Sequence, residues 1–215
     1  MEKARKTLNE TEIEFSSREY RIAPPQASIT DPILDTLSAL TSLLALDRIP
    51  RTGWLLNGVE DPETVAGHVV STAHLILALG PEVDPPLDVD RALALAIVHD
   101  SPEAWTGDLP KQVSDCLPAG LKQDLEARVA DELLAGLSAT ARERHAEYAA
   151  GESRESQFVR VCDKLQLGVQ LLAYRRAKLG ELEEFIETLR SLDCGEFTPA
   201  RGLKDDLLTS LAECE

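Results

Sequence analysis

Apolar residues recur at helical spacing along most of this chain, and that pattern limits the possible folds more than any other sequence feature. Leucine and alanine supply most of the apolar side chains, whereas aromatic residues make up only 4% of the 215 residues. One apolar stripe runs from Val65 to Leu79 and another from Phe158 to Leu172, each with a period of roughly 3.6 residues. The spacing predicts an all-α fold, and the length favours a single domain.

The N-terminal part of the chain has a different character. Residues 1–30 are charged and polar and end in Ala-Pro-Pro-Gln, so we interpret them as an N-terminal extension. Weak alternation at Glu12–Phe15 and Tyr20–Ile22 allows a short strand there. The predicted helical domain then spans residues 31–215.

Capping residues and prolines indicate where the helices begin. Thr30 or Asp31 can cap a helix whose first residue is Pro32, and this helix is expected to end near Asp47. Its predicted apolar face consists of Leu34, Leu37, Leu40 and Leu44. Further helices are expected from the Asp61-Pro62-Glu63 cap to Gly80, over 90–100 and 121–133, from Ser138 to Gly151, and over 153–178, 181–193 and 203–212.

The composition excludes several classes of function. A net charge of −16 repels polyanions, so binding to a nucleic-acid polymer is not expected. No apolar run approaches the length that spans a membrane. The N-terminal residues contain no apolar stretch of the secretory kind, so the expected location is cytoplasmic.

The segment from Leu93 to Lys111 carries the first sign of chemistry. An apolar helical run there ends in His99 and Asp100, and Pro102 follows two residues later. Because proline disfavours helical conformation in the residue before it, the helix should stop or kink here and leave both polar side chains at its end. An imidazole and a carboxylate together can bind a transition metal, but an isolated pair is more often a polar helix end.

Two other polar groups fall on or beside apolar helical faces. His68 lies on the apolar stripe of its helix, and Asp163 lies one residue away from the apolar stripe of a long helix. Each has an ordinary alternative, since a core histidine can simply be hydrogen-bonded and a buried aspartate can pair with an arginine. Together with His99 and Asp100, however, they make a complete ligand set for one divalent ion.

These residues resemble the HD superfamily of metal-dependent phosphohydrolases. The matching segments are Val65-Ala-Gly-His68, Ala96-Ile-Val-His99-Asp100 and Val161-Cys-Asp163-Lys-Leu165, in the family's order. Within the superfamily the chain is most similar to the 5′-deoxynucleotidases. Their signature appears as His99-Asp-Ser-Pro-Glu103-Ala-Trp-Thr-Gly-Asp108-Leu-Pro110, with an upstream Arg51-Thr-Gly-Trp54. The resemblance implies a single-domain, HD-type helical bundle.

The resemblance also implies a role for each candidate residue. The metal ligands would be His68, His99, Asp100 and Asp163, holding one divalent ion such as Co, Mn, Zn, Ni, Fe or Mg. Glu103 would position or deprotonate the attacking water, and Asp100 would support this chemistry from the metal. Arg51 and Trp54 would hold the nucleotide, with Arg48 or Lys111 as alternative phosphate ligands, and Asp108 would accept a hydrogen bond from the sugar. A homodimer is expected.

The chain departs from the family pattern at two positions. Family members often have an acidic residue directly before the first ligand histidine, where this chain has Gly67. Some also have arginine directly before the tryptophan, where this chain has Gly53. These departures bear on nucleotide binding more than on the metal ligands.

Two other interpretations were weighed. Dinuclear HD oxygenases and phosphodiesterases add two histidines between the His-Asp pair and the last aspartate, whereas this interval contains only His145, in a charged helix. A non-catalytic binding module would not require acidic groups at core positions. The sequence therefore favours a mononuclear phosphomonoesterase acting on nucleoside 5′-monophosphates, with 2′-deoxy sugars favoured and another small phosphate or phosphonate compound as the alternative.

Overall fold

The computed structural model describes residues 35–214, and within them the fold is entirely helical, which confirms the all-α prediction. The helices, in chain order, are α1 (Thr36–Leu43), α2 (Thr52–Leu56), α3 (Val65–Leu79), α4 (Val89–Val98), α5 (Glu103–Thr106), α6 (Lys111–Ser114), α7 (Leu121–Leu133), α8 (Ala139–Ala150), α9 (Arg154–Ala177), α10 (Glu183–Ser191) and α11 (Thr198–Ala212). Not one of these helices is both long and apolar enough to span a bilayer. The predicted extension over residues 1–30, with its possible short strand, lies outside the described residues.

Helix α9 forms the centre of the bundle and packs against α3, α4, α8, α10 and α11. Ser153 caps its first turn and Lys178, in the left-handed conformation, ends it. The predicted apolar stripe is confirmed at Phe158, Cys162 and Leu165, which are fully buried, but Val169 is 42% exposed. At that level Gly168 faces the core instead.

The close approach of α10 and α11 explains this shift of the buried face. A Cβ atom at Gly168 would lie 2.9 Å from Leu189 Cδ1 and 3.1 Å from Leu207 Cδ1. The two leucines therefore fill the space above the glycine, and the apolar contact is made by side chains that come from the neighbouring helices.

The predicted boundaries hold where a capping side chain is unambiguous. Helix α8 has Ser138 as its N-cap and Gly151 as its left-handed C-cap, as expected. Helix α3 begins later than the predicted Asp61-Pro62-Glu63 cap, because the Thr64 side chain accepts the Gly67 N–H at 3.1 Å. Helix α11 begins at Thr198, five residues before the predicted start at 203.

The prediction for the first helix is wrong in two respects. Helix α1 begins at Thr36 with Asp35 as its N-cap, after the predicted start at Pro32. Of its predicted apolar face, Leu37, Leu40 and Leu44 are 75%, 51% and 62% exposed, and Leu34 lies outside the described residues. The helix instead turns the small side chain of Ala39 towards its neighbours, so spacing alone identified the wrong face.

Gly180 lies in the turn between α9 and α10 and has a positive φ of 70°. A Cβ atom there would approach Val59 Cγ2 to 2.7 Å and the Asn57 carbonyl oxygen to 2.8 Å. We expect Gly180→Ala to lower the free energy of unfolding by about 2 to 4 kcal/mol, from backbone strain and overpacking together. Urea denaturation followed by circular dichroism measures this.

Gly120→Ala is the matched control, because Gly120 also has a positive φ, of 84°, but no described atom lies within 4 Å of its Cβ position. Its expected loss is about 1 to 2 kcal/mol, from backbone strain alone. Equal losses in the two variants would contradict the close contact at Gly180.

Candidate metal centre

The end of α4 presents the His-Asp pair as the sequence predicts. Helix α4 ends at Val98, His99 is its C-cap residue, and Asp100 follows in the turn that leads to Pro102. The imidazole of His99 is 1% exposed, and its Nδ1 lies 2.6 Å from the Ala96 carbonyl oxygen. Because a carbonyl oxygen only accepts, Nδ1 carries a proton, and in the neutral form of the ring Nε2 therefore has a free lone pair.

Two further side chains reach the same point from the neighbouring helices. His68 comes from α3 and Asp163 from α9, and both side chains are largely buried. His68 Nε2 lies 3.0 Å from Asp163 Oδ1 and 3.6 Å from Asp100 Oδ2, while His99 Nε2 lies 3.1 Å from Asp100 Oδ2. The four ligand residues predicted from sequence thus meet in one cluster.

The two imidazoles fit a metal ion. Among the described residues, the Nε2 atoms of His68 and His99 are buried and make no hydrogen bond of acceptable geometry, although carboxylate oxygens lie nearby. Ligand atoms of His68, His99 and Asp100 all lie within 4.8 Å of one another. Two buried imidazole nitrogens that face carboxylates supply the donor types that zinc and related divalent metals prefer.

Glu103 lies one turn beyond this cluster, at the start of α5, and is only 5% exposed. Burial and the neighbouring Asp100 carboxylate raise the pKa of Glu103 to about 9. Its Oε2 atom makes no hydrogen bond within the described chain and lies 3.7 Å from Arg51 Nη1. Glu103 is therefore a buried carboxyl group with an unused oxygen directed at the site.

Arg51 is surrounded by carboxylates. Its Nη1 atom lies 3.1 Å from Asp108 Oδ1, 3.3 Å from Asp100 Oδ2 and 3.7 Å from Glu103 Oε2. Although burial opposes the charge, these carboxylates raise the pKa of Arg51 above its ordinary value. Burial also opposes the ionised form of Asp100, but His99 and Arg51 hold the pKa of Asp100 well below its usual range.

Asp108 joins the turn after α5 to the start of α2. Its Oδ2 atom accepts the Thr52 N–H at 2.5 Å, and its backbone carbonyl accepts the Thr52 hydroxyl at 2.8 Å. Since Oδ1 faces Arg51, each carboxylate oxygen of Asp108 already has a protein partner. The side chain orients Arg51 before any substrate binds.

The other predicted binding residues differ in position. Trp54 is 2% exposed, stacks on Phe185 at 4.0 Å and donates its indole N–H to Glu63. Its ring is largely buried but still contributes to the lining of the cleft, and its one polar atom is engaged. Lys111 lies at the rim, largely exposed and 3.4 Å from Asp115, whereas Arg48 does not line the cleft.

The cluster opens into a cleft of about 650 Å³ whose lining includes residues that sequence analysis missed. His145 of α8 is only 5% exposed and lines the cleft, although its helix has a charged sequence. Burial and the nearby His99 lower the pKa of His145. Tyr148, one turn further, packs its ring against His99 with centroids 5.2 Å apart. In the sequence, the only signal for His145 and Tyr148 is a spacing that places them on the same side of one helix.

Lys164 is a further cation at the cleft. Its Nζ atom lies 3.1 Å from Asp163 Oδ2, and about half of its side chain is exposed. The sequence suggested an arginine as the alternative partner of Asp163, but the partner found is this lysine. The second oxygen of Asp163 remains directed at His68, so the salt bridge does not replace the metal-ligand geometry.

Several known proteins are similar to this chain in sequence and in fold. The HD domain family matches residues 45–198. The chain is 32% identical over 156 residues to 5′-deoxynucleotidase hdd1 of Schizosaccharomyces pombe, covering 70% of this chain and 74% of the yeast protein. It is 30% identical over 149 residues to 5′-deoxynucleotidase HDDC2 of Homo sapiens, covering 66% and 71%.

A solved structure agrees with this assignment. The crystal structure of PH0347 protein from Pyrococcus horikoshii matches with a TM-score of 0.68 and 30% identity, over 83% of this chain and 99% of that one. The region matched by the family contains all four metal-ligand candidates together with Glu103 and Arg51. This chain therefore belongs to the HD domain family of phosphohydrolases.

Proposed function

We propose that this protein is a divalent-metal-dependent phosphomonoesterase that hydrolyses 2′-deoxynucleoside 5′-monophosphates to nucleoside and phosphate. The observation that carries the proposal is the cluster of two buried Nε2 atoms, which make no hydrogen bond among the described residues, and two carboxylates beside a buried glutamate and an arginine. The similarity to two named 5′-deoxynucleotidases supports the choice of substrate class.

The residues of the cluster suit each step of such a hydrolysis. A divalent cation held by His68, His99, Asp100 and Asp163 would lower the pKa of a water molecule and polarise the phosphoryl oxygens. The charge of the same cation would also favour the ionised form of Glu103, whose pKa is raised to about 9 without it. Ionised Glu103 then accepts the proton of the attacking water, and that proton is available to the departing 5′-oxygen. Arg51 offers guanidinium N–H groups to the phosphate.

The cleft suits a small phosphate ester better than a polymer. Its volume of about 650 Å³ is within the range of small-molecule sites. The phosphate would lie at the metal cluster, and the base would lie towards the mouth between α7 and α10. Because none of the residues assigned above to the metal, the water or the phosphate binds the base, we expect low base selectivity.

The experiment that tests the proposal is hydrolysis of dAMP, dCMP, dTMP and their ribonucleotide counterparts with Co, Mn, Zn, Ni, Fe or Mg supplied separately. Released phosphate is the readout. Turnover of deoxynucleotides with at least one metal is the expected result, and turnover of none with any metal would overturn it. Hydrolysis of only phosphonates or other phosphate esters would agree with the proposed metal site but would rule out nucleotides as the substrates.

Replacing Asp108 with alanine distinguishes two roles for that residue. A sugar-binding role predicts a loss for nucleotides only, whereas a role in orienting Arg51 predicts equal losses for a nucleotide and for p-nitrophenyl phosphate. Because both carboxylate oxygens already contact the protein, we expect kcat/KM to fall for both substrates, roughly 10- to 150-fold. Steady-state kinetics on dAMP and p-nitrophenyl phosphate gives the answer.

Thr52→Val is a useful companion variant, since it removes the hydroxyl that binds the Asp108 carbonyl but keeps the Thr52 N–H. It should cost less than Asp108→Ala on both substrates. A loss in Asp108→Ala confined to dAMP would restore the sugar-binding role.

We also propose that the protein is a homodimer, as the family resemblance implies. Exposed leucines on α1, including Leu37 and Leu40, are compatible with an apolar contact between copies. Light scattering coupled to size exclusion measures the mass, and a monomer would contradict the proposal. The cytoplasmic location and the domain boundary at residue 31 stay predictions.

A further inference from the structure

A chain of buried and half-buried polar groups leads from the metal cluster to the segment that carries Arg51. His68 Nδ1 lies 2.6 Å from Gln166 Oε1, and Gln166 Nε2 lies 2.6 Å from Glu63 Oε2. The second oxygen of Glu63 accepts the Trp54 indole N–H at 3.1 Å. Gln166 is 2% exposed, so its amide depends on these two partners.

The direction of every hydrogen bond in this chain is determined by chemistry. The Trp54 indole can only donate and the Glu63 carboxylate can only accept, so the group of Gln166 that faces Glu63 is its NH₂. The amide oxygen of Gln166 therefore faces His68 and can only accept. It follows that His68 carries its proton on Nδ1 and presents the Nε2 lone pair to the cluster.

Backbone hydrogen bonds join the same segments. The Arg51 N–H donates to the Glu63 carbonyl at 3.0 Å, and the Val65 N–H donates to the Ile49 carbonyl at 2.9 Å. Pro50 and Thr64 form an isolated antiparallel bridge between these contacts. The residues before α3 and the residues before α2 are thus held together as a short two-stranded contact, with Glu63 inside it.

We propose that Gln166 and Glu63 are positioning residues that fix the tautomer of His68 and hold the Arg51 segment in register with the metal cluster. The inference rests on the proposed function, because it assigns these residues to the same site. Neither side chain touches the substrate. They act through His68 at one end and through Trp54 and the Arg51 backbone at the other.

Two substitutions of Gln166 distinguish the effect at His68 from the effect at the Arg51 segment. Gln166→Met removes both hydrogen bonds while roughly keeping side-chain length. Gln166→Glu keeps an acceptor for His68 but removes the donor to Glu63 and places two carboxylates against each other. Gln157→Met, at an exposed position of the same helix, is the matched control.

The first readout is the tautomer of His68 in the cation-free protein, observed by ¹⁵N NMR of labelled histidine at alkaline pH, where imidazoles are neutral. We expect Nδ1–H in the wild type and in Gln166→Glu. In Gln166→Met the proton should move to Nε2, where Asp163 Oδ1 lies 3.0 Å away and can accept it.

The second readout is cation affinity, measured by titration calorimetry with Mn²⁺ and Co²⁺. Loss of the partner that orients a ligand histidine should weaken binding about 10- to 100-fold in Gln166→Met. Gln166→Glu should keep the affinity of the wild type within a few-fold, while KM for dAMP rises because the Arg51 segment is displaced. Gln157→Met should match the wild type in all three measurements.

Unchanged tautomer and cation affinity in Gln166→Met would overturn the inference at the His68 end, and an unchanged KM in Gln166→Glu would overturn it at the Arg51 end. If one variant does not fold, the other still tests one end. A wild type that binds the cation but hydrolyses no phosphate ester would refute the proposed function alone, since the tautomer and affinity measurements require no turnover.

Discussion

Replacing His99 or Asp100 with alanine should remove the bound metal and the hydrolytic activity together. Each change deletes one of the four candidate ligands and so removes a direct bond to the ion. Because loss of even a partner that orients a ligand typically costs about 10- to 100-fold in affinity, loss of a ligand itself should leave the site largely empty. Loss of the metal's stabilisation of the transition state, about 4 kcal/mol, corresponds to a decrease in kcat/KM on the order of 10³-fold. Metal content by plasma emission spectroscopy and phosphate release with dAMP are measured on the same preparations.

His74→Ala provides the matched control for this prediction. His74 is on α3, the helix that carries His68, but it is exposed. Its variant should keep metal and activity at the level of the wild type. A His99→Ala protein that retains both would remove the proposed metal centre, whatever the behaviour of the control.

Replacing Glu103 with glutamine should separate metal binding from catalysis. Glutamine keeps the shape of the side chain but cannot take a proton from water, so kcat should fall on the order of 10²-fold or more while metal content stays unchanged. The substitution removes a buried carboxyl group whose pKa is raised to about 9, so we expect no loss of folding stability.

Exposed Glu132, on α7, supplies the control Glu132→Gln, which should behave as the wild type. Rates and metal content are measured on both variants under the same conditions. An unchanged rate in Glu103→Gln would mean that the glutamate only supports the turn after α4, and the base would then have to be sought elsewhere in the cleft.

The sequence was sufficient to predict which polar side chains meet in the cluster, because the evidence for them is local. Each ligand candidate is a polar residue on or next to an apolar helical face, and helical periodicity places that face in the core. His68 and His99 stood out for this reason, and Pro102 explained why the second of them lies at a helix end. Such residues can be recognised before any contact between helices is known.

The residues that support the centre could not be recognised in this way. Gln166 is an ordinary polar residue between two leucines in the sequence, and only the packing of α9 against α3 brings it to His68. The charged sequence of its helix gives no sign that His145 is buried, yet tertiary contacts bury it. Hydrogen-bond partners that are 98 positions apart in the sequence leave no local pattern.

The α1 leucines show the opposite error. The leucines of α1 have the spacing of a buried face and are exposed. Periodicity says which residues share a face of a helix, but the neighbours decide which face is covered.

The metal-ligand candidates and a part of the cleft lining belong to different parts of the chain. The candidates are at the ends or on the faces of α3, α4 and α9, which also form the core, whereas residues 108–114, α7 and α10 contribute other residues to the lining. A change in a core helix would shift the ligands, but a change in a surface segment need not. Substitutions in the surface segments can therefore change which substrates enter the cleft, while the metal-binding cluster stays the same.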